Sequence, residues 1–176
     1  MVEKRPRVTK AQAEKAIIDR FAEAYYRHYG AQLNNLTQRD VPDFSAVDSI
    51  TLQTLGIEVT GTYQDEREAE INYWLEGEWG VIVGDFDSLM GRINCALGDK
   101  AKKSLSYERI GPLILAIWIV SFVFHHETDV KFIRPRLHIP DNPFSLIALV
   151  VTDDHSRHPM LHILQEVPTW RHKGSA

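Results

Sequence analysis

A chain of 176 residues with 44% apolar content has enough apolar side chains for one core and too few residues for two comfortable domains. Its formal charge of −4 gives no bulk attraction for nucleic acid, and its single cysteine, Cys95, excludes a disulfide framework and a thiolate zinc site. No signal-peptide pattern opens the chain, so the cytoplasm is the expected compartment.

The first helix is expected over 10–29, where Thr9 and Gln12 make a capping box and Gly30 supplies the stop. At ~100° per residue, Ile17, Ile18, Phe21, Tyr25 and His28 share one stripe, and Glu14 falls near its middle while Glu23 lies opposite. An acid in the first turn is favoured by the helix dipole alone, but the inward face leaves Glu14 open to a second role. After a polar connection, VPDFSAV at 41–47 reads as a strand entered through Pro42, and LGIEVTG at 55–61 as its hairpin partner, with the turn near Asp48 and Ser49. YQDEREAEINYWLEGEWG at 63–80 begins with a short charged helix, and WGVIVGDF at 79–86 reads as another strand. A second long helix is expected over 87–106 despite Gly91 and Gly98, with Leu89, Ile93, Ala96 and Leu97 facing inward. Lys100 continues that stripe, Lys103 sits at its edge and Lys102 points away.

The longest apolar run, PLILAIWIVSFVF at 112–124, falls short of the ~18 to 20 residues that cross a bilayer, so it reads as a buried strand with an extension and no membrane partner is expected. Strands are expected at 112–120, 144–151 and 161–165, the last two joined by TDDHSRHP. No internal repeat or low-complexity tract interrupts this order.

Period-2 alternation in 57–60 sends Ile57 and Val59 to one face and Glu58 and Thr60 to the other. Strand interiors deplete Glu, and a buried carboxylate without compensation costs several kcal/mol or takes up a proton. Antiparallel pairing would bring Asp43 towards Glu58, and two converging carboxylates suit a hard divalent cation. The other reading makes Asp43 a turn residue after Pro42 and Glu58 the partner of an arginine.

The order of PDF, GIEVT, the helix DKAKKSLSY, PLILAI and PFSLIALVV resembles the PD-(D/E)XK nuclease superfamily, in a version with PDF and IEVT motifs, over residues 9–165. The resemblance implies an α/β fold of restriction-endonuclease-like type, a mixed central sheet flanked by helices, and metal-dependent hydrolysis of phosphodiester bonds in DNA. By position, Asp43 and Glu58 would be metal ligands for Mg²⁺ or Mn²⁺, the Val59 carbonyl would complete the protein's share, and Glu14 would match the acid of the first helix. The family's lysine should stand at position 60, where this chain has Thr60. Lys100, on the inward stripe of the second helix, is the candidate for a migrated cation and Lys103 the second; both types also occur as snorkelling helix lysines.

The implied partner is DNA, with RNA as the alternative, the chain acting in a homodimer or as a subunit of a larger complex. A catalytically impaired nuclease-like domain that binds nucleic acid or assembles with protein is the competing function, favoured by Thr60 and the acidic charge. Other signals are weaker. His155, His158 and His162 have a helical spacing that Pro159 interrupts, and adjacent His125 and His126 fit no zinc pattern. Tyr73, Trp74 and Trp79 could stack on bases or pack in the core. The basic groups Lys4, Arg5, Arg7, Lys10 and Lys131, Arg134, Arg136 read as solvated faces.

Overall fold

The computed structural model describes residues 9–62, 86–121 and 124–171. The first helix, α1 (Lys10–Tyr29), starts where the sequence places it: the Thr9 hydroxyl accepts from the Gln12 N–H at 3.2 Å, and the Gln12 side chain accepts from the Thr9 N–H at 2.8 Å. It stops at Gly30, whose φ of 68° is the left-handed conformation glycine adopts without strain. Then come β1 (Leu33–Gln38), β2 (Phe44–Asp48), β3 (Thr54–Thr62), α2 (Phe86–Ser104), β4 (Leu113–Ile119), α3 (Glu127–Ile133) with a 3₁₀ turn at Arg134–Arg136, β5 (Leu146–Thr152) and β6 (Pro159–Glu166).

The strands form one mixed sheet in the order β1-β2-β3-β4-β5-β6. Both ends are antiparallel, and the middle pairs β3–β4 and β4–β5 are parallel. Parallel neighbours need crossovers, and α2 and α3 lie on the two connections. Helices cover both faces. Ile17, Ile18, Phe21 and Tyr25 of α1 pack with Ile57, Val59, Ile114, Ala116 and Ala148. Leu89, Ile93 and Leu97 of α2, with Val130 and Ile133 of α3, pack with Leu115, Ile117, Ile147 and Leu149. The continuous apolar runs of β4 and β5 follow, since every residue there has a helix above or below it. Among the described residues no helix is long and apolar enough to cross a membrane.

Several boundaries differ from the sequence reading. β1 lies in the stretch read as a polar connection: LNNLTQ is an edge strand, largely exposed, and carries no apolar alternation. β2 begins at Phe44, leaving Val41, Pro42 and Asp43 in the approach to it. The apolar run at 112–124 is strand only to Ile119, and α3 was not anticipated because it is barely two turns long. His125 and His126 sit before α3 rather than in a strand, their ring centroids 4.1 Å apart. His162 stands in β6, while His155 and His158 are exposed in the preceding turn. Lys131, Arg134 and Arg136 are exposed, as a solvated face requires. The helix and strand expected over 63–86, with Tyr73, Trp74 and Trp79, lie outside the described residues save Phe86, the first residue of α2.

Candidate metal centre

Position comes from the β2–β3 register. Phe44 pairs with Ile57, so one step further along the same register sets Asp43 opposite Glu58, just where β2 has ended. Side chains there take over from the ladder. The Val59 N–H donates to Asp43 Oδ2 at 2.9 Å, and the Asp43 N–H donates to Glu58 Oε2 at 3.3 Å. Each carboxylate thus holds the backbone that carries the other. Strand alternation fixes the direction as well: the Gly56 N–H goes to Pro112 O on the β4 side, so the backbone groups of Ile57 and Val59 face the β2 side, towards Asp43. The Val59 carbonyl is therefore directed to the side of the pair.

Gly56 permits the close approach of the PDF segment. A Cβ at this position would lie 3.0 Å from Pro42 Cγ and 3.1 Å from Leu113 Cδ1. The glycine of LGIEV thus allows Pro42, and with it Asp43, to settle against β3.

Glu58 shares its face with Leu115, which packs against α2, and so its carboxylate looks towards that helix. Lys100, in the last turns of α2, places its ammonium on Glu58 Oε1 and lies 4.0 Å from Asp43 Oδ2. The Tyr107 hydroxyl donates to the same Glu58 Oε1 at 2.9 Å. Asp43 and Glu58 are buried, at 7% and 4% exposure, and Lys100 is half-buried. Burial pushes the Asp43 carboxyl up to about 6; the Glu58 charge adds to the shift, and the Val59 N–H and Lys100 oppose it. Burial likewise raises the Tyr107 phenol, with the Glu58 charge as the second cause.

The remaining expected residues are placed differently. Glu14 accepts from Gln38 Nε2 at 3.4 Å and pairs with Lys10 at 3.2 Å; it reaches Asp43 through its charge and not through a contact. Lys103 is exposed and, among the described residues, makes no contact with the carboxylates, and Lys102 is exposed as expected. Thr60 is half-buried on the face of Glu58. Among the described residues Glu58 has lysine and tyrosine as partners and no arginine. Tyr107 carried no role in the sequence reading; its signal was its place just after the helix that bears Lys100, in the segment DKAKKSLSY.

Two hard carboxylates on one face, one of them driven towards protonation by burial, form a donor set that suits a small divalent cation. Among the described residues no group of three or more His, Cys, Asp and Glu side chains gathers around a common point. Asp43, Glu58 and the Val59 carbonyl are the groups that would hold such an ion, with water as the remaining ligands. No model of a known protein family, no curated protein and no solved structure matches this chain.

Proposed function

We propose that this chain is a divalent-metal-dependent nuclease of the PD-(D/E)XK kind that hydrolyses phosphodiester bonds in DNA, with Lys100 in the part that position 60 has given up. The observation that carries this reading is the Lys100 ammonium on the Glu58 carboxylate, beside Asp43. Asp43, Glu58 and the Val59 carbonyl would hold Mg²⁺ or Mn²⁺. When bound, the cation polarises a phosphoryl oxygen and lowers the pKa of the attacking water. Lys100 supplies positive charge beside that water and offsets the negative charge that develops on the phosphoryl group, an effect enlarged by the buried setting. Tyr107 fixes the orientation of Glu58, and Glu14 acts on Asp43 from a distance. The cytoplasm, where DNA is accessible to such an enzyme, is part of the same proposal.

A second reading keeps the fold and drops the cleavage: a nuclease-like domain that binds nucleic acid or another protein. Thr60 at the family's lysine position and the charge of −4 favour it. Incubating the protein with supercoiled plasmid and with single-stranded DNA in Mg²⁺, in Mn²⁺ and in chelator separates the two. The nuclease reading requires cleavage with metal that stops in chelator and in Asp43→Ala; no cleavage of DNA or RNA in either metal leaves the binding domain.

A further inference from the structure

We infer that the cleft at the C-terminal end of α2 takes one nucleoside unit of a single nucleic-acid strand, adjoining the phosphate at Asp43 and Glu58. The inference rests on the nuclease reading and names how that site holds its substrate. The cleft has a volume of about 210 Å³ and is lined by Ser104, Tyr107, Arg109, Ile110, Pro143 and Ser145, among others.

Its position follows from Tyr107. The hydroxyl of this residue lies on Glu58 Oε1 at 2.9 Å, and the same side chain lines the cleft, so an occupant of the cleft is separated from the carboxylates by a single tyrosine. Its size is the second argument: pockets that enclose a whole drug-sized ligand run to ~300–1,000 Å³, and this one is smaller. It suits one unit of a longer chain rather than a complete free ligand.

Chemistry is the third. Tyr107, Ile110 and Pro143 give aromatic and apolar walls for a base, and stacking of this kind accepts any base. Arg109 is exposed at the rim and, among the described residues, has no acidic partner, so its guanidinium is available to a phosphate. Glu108 also lines the cleft, and its carboxylate is 3.4 Å from Arg39 Nη2, which tempers its repulsion of a phosphate. The Ser104 hydroxyl donates to Ala101 O at 2.8 Å, so its proton is not offered to a base edge. The cleft would therefore select an unstacked base without reading its identity, which a duplex does not present.

The test uses the full chain with a short deoxyoligonucleotide carrying 5-iodouracil, in Ca²⁺, which takes oxygen ligands as Mg²⁺ does. Irradiation is expected to join the oligonucleotide to the peptide 104–113, at Tyr107. Arg109→Ala and Pro143→Ala are each expected to raise the oligonucleotide Kd roughly tenfold, with Mn²⁺ affinity by calorimetry unchanged. Cross-links confined to other peptides, or unchanged oligonucleotide affinity in both variants, would overturn the cleft assignment while leaving metal-dependent cleavage by the wild type intact. A wild-type protein that neither binds the oligonucleotide nor cleaves DNA would overturn the cleft and the nuclease reading together.

Discussion

Lys100 and Glu58 stand 42 residues apart in the chain and meet in the fold, the ammonium of α2 on the carboxylate of β3. Each lowers the cost of burying the other: the lysine neutralises a buried acid, and the acid gives the inward-facing lysine a partner. A chain that merely stabilised Glu58 could stop there. Here the pair adjoins a second buried carboxylate, Asp43, which Lys100 reaches only at 4.0 Å. Two acids and one cation leave the cluster one positive charge short.

Burial of Asp43, with the unbalanced Glu58 charge as a lesser cause, sets a pH dependence. The Asp43 carboxyl is raised from 3.8 to about 6, so between these values the native protein binds a proton that the unfolded chain has released. Metal-free stability should therefore receive a falling contribution from Asp43 as pH rises from about 4 to 6 and a constant one above. Mn²⁺ competes with that proton, so its affinity should rise with pH and level off above about 6. Titration calorimetry across this range checks it, and Asp43→Asn should flatten both dependences. A Mn²⁺ affinity that is level from pH 5 to 7 would remove Asp43 from the ligand set.

Asp48 should behave in the opposite sense. It is fully buried, yet the Tyr25 hydroxyl at 2.6 Å, the N–H groups of Ile50 and Thr51, and Arg171 hold its carboxyl below the ordinary value in spite of that burial. The stability it contributes is present above its unfolded pKa of about 3.8 and lost as pH falls further. Arg171→Ala leaves this acid without its cation and should cost about 3–5 kcal/mol in chemical denaturation. Metal affinity measured on the folded variant should stay that of the wild type, because Asp48 lies at the other end of β2 from Asp43.

Gly56→Ala should couple stability to the site. The added methyl group meets Pro42 and Leu113 at 3.0–3.1 Å, and relieving that crowding moves the segment that carries Asp43. A loss of about 1–3 kcal/mol in thermal or denaturant unfolding is expected, together with weaker Mn²⁺ binding. Wild-type metal affinity in this variant would show that Asp43 does not depend on the Pro42 contact.

The parts legible in the sequence were those with strong local signals. The capping box at Thr9, the stop at Gly30 and the apolar stripe of α2 each encode their element within a few residues, and alternation alone put Glu58 on the face opposite Ile57 and Val59. The inward stripe of α2 marked Lys100 as a candidate cation; its contact with Glu58 is defined only by the folded chain. What escaped had no local signature. β1 is a polar edge strand specified by its pairing with β2, α3 is too short for a period to show, and Tyr107 acquires its hydrogen bond only when the end of α2 is brought against β3. Arg171 joins Asp48 from 123 residues away, a contact that only the folded chain defines.

Moving the positive charge between its two candidate positions tests the role of Lys100 most directly. Metal-dependent cleavage of single-stranded DNA should fall by roughly 10² or more in Lys100→Ala, the size expected when one preorganised charge leaves a phosphoryl transition state, while Lys102→Ala on the outer face of α2 should change little. Adding Thr60→Lys to Lys100→Ala returns an ammonium to the face of Glu58 from the neighbouring strand position and should recover part of the lost rate, with Mn²⁺ affinity similar in both. Cleavage by Lys100→Ala at the wild-type rate would contradict the assignment of the migrated cation to α2.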